Sequence, residues 1–183
     1  MHRKEFIKHA CGLGLCSCTV AAIVASAGET TPDAPAEHKP DDERITFARQ
    51  RYATLLAALG RRSDAATTTA VLEDVGRSCA SSAPFLQQYA GNAEGFIADI
   101  RARWHADVAY DAKHGVVDLA FPPSGECYCP LLSKAASPAI ACACSIGWQK
   151  QAFETVFGRP VTAELTESVL RGGSRCSFRI RAS

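Results

Sequence analysis

The sequence lacks an excess of charge of either sign, and this absence limits the partners it can have. Its 183 residues carry 20 Lys and Arg against 19 Asp and Glu, a formal net charge of +1. A nucleic-acid-binding domain needs a basic patch, so we predict no nucleic-acid partner. The chain also lacks a glycine-rich phosphate loop, a recognisable Ser/His/Asp hydrolase motif and an internal repeat. It does contain nine cysteines, and a thiol-based function is the first possibility that they raise.

The first 27 residues have the pattern of an export signal. A basic start at Arg3 and Lys4 is followed by an apolar run over residues 10–24 and by a small-x-small cleavage pattern, Ala25–Ser26–Ala27. The run is too short and too rich in small residues for a good membrane span, so we predict no stable span in the mature chain. We therefore predict a signal peptide over 1–27 and an exported, periplasmic protein.

Alternative interpretations of this leader stay open. The segment Arg3–Lys4–Glu5–Phe6–Ile7–Lys8 resembles a twin-arginine signal with Lys in place of the second Arg, so both that route and ordinary unfolded-chain export fit. The segment Leu15–Cys16–Ser17–Cys18 resembles a lipid-attachment box, which would make the protein a lipoprotein. The apolar stretch continues past Cys18, which favours a plain signal peptide.

The rest of the chain divides into a linker and one domain. Residues 28–43 are rich in Pro and acidic residues with almost no apolar side chains, which predicts a disordered linker. Residues 44–183 are enough for one domain with a core but not for two. We predict a single α+β, cysteine-rich binding domain over 44–183.

Hydrophobic periodicity predicts the elements of this domain. A period of 3.6 indicates helices over 44–59, 64–76 and about 96–104, with the second ending at Gly76. A period of 2 comes next, with a hairpin of strands near 108–110 and 116–121 and a third strand over 127–132. A helix from Ser145 to Phe157 precedes a fourth strand over 161–169 and a last strand that buries Cys176, Phe178 and Ile180. The predicted fold is α+β, with N-terminal helices packed on an antiparallel sheet and a helix between the third and fourth strands.

Six cysteines lie after the leader, and four of them form two CxC pairs. The pairs are Cys127–Tyr128–Cys129 and Cys142–Ala143–Cys144, and the other two cysteines are Cys79 and Cys176. On an extended strand a CxC pair places both thiols on one face, and two such pairs could bind zinc or another soft metal ion. Exported proteins also oxidise their thiols, and six cysteines could form three disulfides. A disulfide inside a CxC pair would be strained, so both interpretations stay open.

The C-terminal part of the chain resembles a known domain. The residues that carry the resemblance are Cys142, Gly147–Trp148, Gly158–Arg159–Pro160–Val161, Glu167–Ser168, Gly172–Gly173 and Cys176–Ser177–Phe178–Arg179–Ile180. Together they resemble the C-terminal half of the 4-vinyl reductase domain, and aminothiazoline carboxylate hydrolase-like proteins have a similar ending. The resemblance implies an α+β module that binds a small apolar molecule.

The same resemblance implies part of a zinc site. In phenol-responsive activators this half-domain holds a structural zinc ion through Cys, Glu, Cys and Cys. Aligned without gaps, the first and last ligands fall on Cys142 and Cys176, whereas the middle two fall on Leu165 and Ser168, which do not suit zinc. Our hypothesis is that Cys127, Cys129 and Cys144 rebuild a metal site beside the old one, with Cys79 as a further member.

The expected function is therefore binding of a metal ion, a small apolar molecule or both. The alternatives are a thiol-dependent hydrolase or redox enzyme, in which Cys144 acts near a helix N-terminus with Glu167 assisting, or a disulfide-stapled interaction module. Trp148, Phe153 and Phe157 have helical spacing and are predicted to be core residues.

Overall fold

The computed structural model describes residues 40–183, with side chains from residue 43 onward. The predicted signal peptide (1–27) and most of the predicted linker (28–43) lie outside the described residues. The first helix begins at Pro40, four residues before the predicted domain boundary at Arg44. Proline suits the first turn of a helix, because its missing N–H would have no partner there.

Five helices and four strands form the described part of the chain. In chain order they are α1 (Pro40–Arg62), α2 (Ala65–Ser81), α3 (Pro84–Gln87), α4 (Ala93–Trp104), β1 (Asp107–Asp111), β2 (Val116–Ala120), α5 (Cys142–Phe157), β3 (Val161–Glu167) and β4 (Ser177–Ala182). Short 3-10 turns at Ala139–Ala141 and Val169–Arg171 precede α5 and follow β3. The α+β class is confirmed.

The four strands form one antiparallel sheet in the order β1-β2-β4-β3. The predicted hairpin is present as β1 and β2, with Asp111 paired to Val116 beside the turn. The last strand lies between β2 and β3, where Ile180 pairs with Val117 on one side and with Ala163 on the other. The predicted burial of Phe178 and Ile180 is confirmed, whereas Cys176 is only half-buried and lies one residue before β4.

The main core lies between α5, α4 and the sheet, and we call it the aromatic core. Its buried members include Leu86, Phe96, Ile97, Ile100, Val117, Leu119, Phe121, Phe153, Val156, Phe178 and Ile180. The rings of Phe96 and Phe153 meet edge-on, with centroids 5.4 Å apart. Phe153 is fully buried, and Trp148 and Phe157 pack partly buried against it, which confirms the predicted core role of all three.

A second, smaller cluster lies between α1, α2 and the start of α5, and we call it the thiol-lined cluster. Its buried members are Leu56, Leu72, Leu132, Ala141 and Ala143. Around them pack Tyr52, Ile140, Leu170 and three of the cysteines, Cys127, Cys129 and Cys144.

The predicted third strand over 127–132 is wrong. Residues 121–138 form an irregular segment, and the Leu132 N–H donates to the Cys129 carbonyl in a local turn, 3.1 Å apart. Pro130 has no N–H to donate to a sheet, and Pro122 and Pro123 precede it. The predicted inter-strand helix is present as α5, and it lies between the second and third strands because the sheet has four strands.

The predicted end of the second helix at Gly76 is also wrong. Helix α2 runs through Gly76 to Ser81, because this glycine is the point at which α2 crosses α5. A Cβ atom at Gly76 would lie 1.9 Å from the Cys144 carbonyl oxygen, and one at Gly147 would lie 2.0 Å from the Glu73 carbonyl oxygen. The absence of both side chains lets the two backbones touch.

Candidate thiol site

The helical conformation of the second CxC pair sends its two thiols in different directions. Cys142 and Cys144 lie in the first turn of α5, where residues two apart differ by about 200° around the helix axis. Cys142 points to the end of β3, and Cys144 points to α1 and α2. The expectation that a CxC pair shares one face holds for a strand and fails here.

The other four cysteines divide between these two directions. Cys127 and Cys176 interact electrostatically with Cys142, and we call these three the inner thiol group. Cys79 and Cys129 interact with Cys144, and we call these three the outer thiol group. Cys129 also interacts with Cys127, so the two groups adjoin. The two groups draw on four chain segments: α2, the irregular segment, the start of α5 and the residue before β4.

The inner thiol group lies against the end of β3. The Cys142 side chain is buried, with its Sγ atom 3.0 Å from the Ser168 Oγ atom, and the Cys176 Sγ atom accepts the Val169 backbone N–H. Burial raises the pKa of the Cys127 thiol to about 11, and the nearby Cys176 and Cys142 thiolates add to the rise. Burial also raises the pKa of Cys176. Burial therefore favours the protonated thiol at Cys127 and Cys176.

The outer thiol group lies beside α1 and is more open to solvent. Cys79 is exposed, whereas Cys129 and Cys144 are half-buried. Burial raises the pKa of Cys144 to about 11, and the thiolates of Cys129 and Cys79 add to the rise. The Tyr52 hydroxyl lies near Cys144 and acts to lower the pKa of that thiol, and burial raises the pKa of Tyr52 to about 12.

Helix α1 supplies a second contact to the outer thiol group. The Arg49 Nε–H donates to the Pro130 carbonyl oxygen at 2.5 Å, one residue after Cys129. Arg49 and Tyr52 are three residues apart and therefore on neighbouring turns of one helix face. Sequence reasoning missed both residues. Tyr52 is part of the apolar stripe that predicts α1, and nothing in its spacing indicates a hydrogen bond to a thiol.

The surroundings of the two candidate catalytic residues do not favour the enzymatic interpretation. Cys144 does lie in the first turn of a helix, yet burial raises its pKa where a nucleophile needs a lowered one. Glu167 holds the turn before β4: its Oε1 atom accepts from the Ser174 N–H and Oγ–H and from the Arg175 N–H, at 2.8, 3.1 and 3.2 Å. These hydrogen bonds, with the Ser174 N–H first, lower the pKa of Glu167. Its described role is structural.

The two non-cysteine positions implied by the zinc resemblance also have structural roles. Leu165 is half-buried against the aromatic core. Ser168 is buried, and its Oγ atom accepts the Leu170 N–H at 3.1 Å while it contacts Cys142. Among residues 40–183, no three His, Cys, Asp or Glu side chains are spaced as a ready-made metal site. Neither thiol group of this described part of the chain is therefore a formed metal site.

Two hollows of the described surface have no cysteine in their lining. One of about 490 Å³ lies between α1 and residues 131–137, and another of about 570 Å³ lies beside β1, β2 and Phe178. Binding of a small apolar molecule stays a prediction. No helix within residues 40–183 has both the length and the hydropathy that crossing a membrane requires.

These features define an α+β domain in which cysteines from four chain segments interact electrostatically. Residues 84–183, more than half of the chain, match a family described as a family of unknown function, DUF6144, and the chain belongs to this family. All of the cysteines in the two thiol groups except Cys79 fall within the matched residues. No curated protein matches the chain.

Among solved structures, the chain is similar to trafficking protein particle complex subunit 3 from Naegleria fowleri, which was crystallised covalently bound to palmitic acid. The two share 16% sequence identity with a TM-score of 0.51, over 78% of this chain and 96% of that one. This likeness shows the fold alone.

Two further matches are more distant. One is a vinyl-4-reductase family protein from Methanocaldococcus jannaschii, at 13% identity and a TM-score of 0.35, over 82% of this chain and 99% of that one. The other is a mutant H-NOX domain from Shewanella oneidensis in its Fe(II)CO state, at 14% identity and 0.36, over 86% and 83%. The resemblance to the 4-vinyl reductase domain is thus met only as a distant relationship of fold.

Proposed function

We propose that the protein is an exported binder of a soft metal ion, zinc or copper(I), which it holds through its clustered thiolates. The proposal is supported by six cysteines from four separate chain segments, each of which interacts electrostatically with at least one other. Thiolate sulfur is the ligand that soft ions prefer in proteins.

The electrostatics of the thiols support this proposal. Burial and neighbouring thiolates disfavour ionisation of Cys127 and Cys144, so these two thiols stay neutral without a metal ion. A bound cation removes the mutual repulsion and displaces the protons. Metal affinity is then expected to rise with pH, because each displaced proton favours binding at higher pH.

The predicted leader is compatible with metal loading. A twin-arginine-like signal would export the protein already folded, so the thiols could take up metal in the reducing cytoplasm. Export of an unfolded chain would instead expose the same thiols to oxidation, and three disulfides would be the competing outcome.

The test is elemental analysis and thiol titration of the full chain purified under reducing conditions. Cys11, Cys16 and Cys18 are replaced by Ser in every sample, so that only the six described cysteines count. We expect bound zinc or copper, thiols that react slowly with an alkylating reagent, and fast reaction after a chelator is added. Cys142→Ser is expected to lose metal, and the exposed Tyr128→Phe on the same segment as Cys127 serves as the matched control. A metal-free protein with three intact disulfides would overturn the proposal.

A further inference from the structure

We infer that the outward face of α1 binds the surface of a membrane that contains anionic phospholipids. This face carries a row of residues that we call the arginine stripe: Arg44, Phe47, Arg51, Leu55 and Arg62. The inference involves none of the cysteines, so its test is independent of the proposed metal binding.

The spacing of the arginine stripe places its members on one side of the helix. They follow one another at intervals of three, four, four and seven residues, and these intervals return to the same face of an α-helix. The helical rise puts the first and last members about 27 Å apart along α1. The stripe is therefore long and one side chain wide.

The opposite face of α1 is held against the domain. Leu56 is buried in the thiol-lined cluster, and the Arg49 Nε–H donates to the Pro130 carbonyl oxygen at 2.5 Å. Because these contacts fix the rotation of α1 about its axis, the arginine stripe points to solvent. Phe47 and Leu55 are accordingly 59% and 60% exposed.

The charge of α1 selects an anionic partner. Between residues 44 and 62 the helix has five arginines and no acidic residue. The five are Arg44, Arg49, Arg51, Arg61 and Arg62. Among the side chains described, over residues 43–183, no carboxylate forms an ion pair with any of them. Basic residues at a membrane surface are attracted to anionic headgroups, and each one strengthens binding.

The acidic residues of α1 do not interrupt this charge. They occupy positions 41–43, in the first turn of the helix and ahead of the arginine stripe. Negative charge at this end interacts favourably with the helix dipole. The rest of α1 is therefore free of negative charge along its whole length.

The alternation of arginine and apolar side chains favours a lipid surface over a protein partner. Phe47 and Leu55 lie about 12 Å apart along the helix, with Arg51 between them. A protein interface of standard size covers about 800 Å² of each partner around an apolar centre, which two separated side chains do not supply. A bilayer accepts single apolar side chains among its acyl chains while long basic side chains extend to the headgroups.

One contact within the arginine stripe suits this arrangement. The Arg51 guanidinium carbon lies over the Phe47 ring, 5.0 Å from the ring centroid. The attraction between the cation and the ring keeps the two side chains together. The ring can therefore enter the apolar layer while the guanidinium beside it stays at headgroup level.

The test places a tryptophan in the arginine stripe and measures whether it enters lipid. Phe47→Trp is made in the full chain, which is reduced, treated with a metal chelator and mixed with vesicles of equal parts phosphatidylglycerol and phosphatidylcholine. Brominated acyl chains in these vesicles quench an indole that contacts them. The signal of the unsubstituted chain, which contains Trp104 and Trp148, is subtracted. We expect the introduced indole to lose intensity and to shift its emission to shorter wavelength.

Val75→Trp is the matched control. Val75 is also an exposed apolar residue, at 44%, but it lies on α2 next to Asp74, which an anionic surface repels. Its indole should stay unquenched. The predicted leader is present in both proteins, so any affinity of that segment for lipid acts equally on the two.

A second set of variants tests the charge. Arg44→Gln, Arg51→Gln and Arg62→Gln, combined with Phe47→Trp, should lower the quenched fraction about tenfold or more at a fixed lipid concentration. Raising the salt from about 0.1 M to about 1 M should also lower it, because the screening length falls from about 10 Å to about 3 Å. Arg103→Gln, which removes a guanidinium paired with Asp99 in α4, should leave the quenching unchanged. Circular dichroism checks that each variant folds.

Three results would overturn the inference. An unquenched indole at position 47 would show that the arginine stripe stays out of the lipid, and an acidic protein would then be the better partner. Equal quenching at positions 47 and 75 would mean that another segment holds the chain on the vesicle. Equal quenching by vesicles of phosphatidylcholine alone would mean that the arginines do not select the surface. None of these results bears on metal binding, which elemental analysis tests separately.

Discussion

The aromatic core and the thiol-lined cluster differ in the size and burial of their side chains. The aromatic core packs large rings and branched side chains from α4, α5 and the whole sheet, and its largest members are fully buried. The thiol-lined cluster has five buried members, none larger than leucine, and borders an irregular segment. The comparison indicates that stability is concentrated in the first region and that the second is the more easily rearranged.

The largest expected effect comes from truncating one large buried side chain in each region. Phe153→Ala removes a fully buried ring from the aromatic core and should lower the free energy of unfolding by about 3–5 kcal/mol. Leu132→Ala in the thiol-lined cluster should lower it by only about 2 kcal/mol, because the irregular segment can collapse around the cavity. Chemical denaturation of the reduced protein measures both. Equal losses would show that the two regions are equally rigid.

The next effect tests the helix crossing that joins the two regions. Gly76→Ala places a methyl group against the Cys144 carbonyl and should destabilise the protein by about 2–3 kcal/mol. Gly60→Ala is the matched control: it lies in α1 with no atom within 4 Å of the added Cβ, and it should stabilise the helix by about 0.5–1 kcal/mol. Thermal unfolding distinguishes the expected loss of stability in the first variant from the expected gain in the second. A harmless Gly76→Ala would mean that α2 and α5 are not held in contact at this point.

Alkaline pH should reduce the stability that the thiol-lined cluster contributes and leave the contribution of the aromatic core unchanged. The folded-state pKa of Cys127 and of Cys144 is about 11, above the ordinary value of 9.0. Their contribution to stability is therefore complete below pH 9 and is lost as the pH rises towards 11. With allowance for partial exposure, the loss is about 1 kcal/mol for each thiol.

The measurement is the melting temperature of the reduced, metal-free chain between pH 8 and about 11. A variant carrying Cys127→Ala and Cys144→Ala should show a flatter decline than the unsubstituted chain. An identical decline in both would exclude these thiols as its source.

The smallest effect concerns an ion pair that also joins α2 to α5. Arg77 donates from both Nη atoms to the Glu154 carboxylate, at 2.6 and 3.0 Å, and this lowers the pKa of Glu154. Glu154→Gln should reduce the free energy of unfolding by about 1 kcal/mol at neutral pH. The more exposed pair of Arg103 and Asp99 within α4 is the control, and Asp99→Asn should cost about 0.3 kcal/mol. Equal costs would show that the α2–α5 contact gains nothing from the pair.

Much of the fold could be predicted because its signals are local. The hairpin, α5 and the alternating burial of Phe178 and Ile180 follow from periodicity alone. The errors arise where tertiary contact overrides a local signal. Gly76 has the signature of a helix end, yet its missing side chain serves a crossing with a helix about 70 residues away. Residues 127–132 alternate like a strand, but Pro130 prevents pairing.

The site could be predicted only as a set of residues. The sequence singles out all six cysteines, and the structure brings each of them near at least one other. Their division into two groups depends on where α5 begins. With a start at Ser145 the second CxC pair precedes the helix, whereas the observed start at Cys142 places both thiols inside it and turns them apart. The contacts of Tyr52 and Arg49 require knowledge of how α1 packs, which no local pattern contains.

The crossing at Gly76 and Gly147 also sets an order of events during folding. Cys79 and Cys144 are separated by 65 residues, so closing that loop carries a large entropic penalty that local elements such as the β1–β2 hairpin do not face. The same contact that docks α2 on α5 brings these two thiols together. Until the helices dock, no outer thiol group exists, and each of its cysteines is free to react with whatever it meets. The more slowly the two helices dock, the longer these thiols remain open to mispairing.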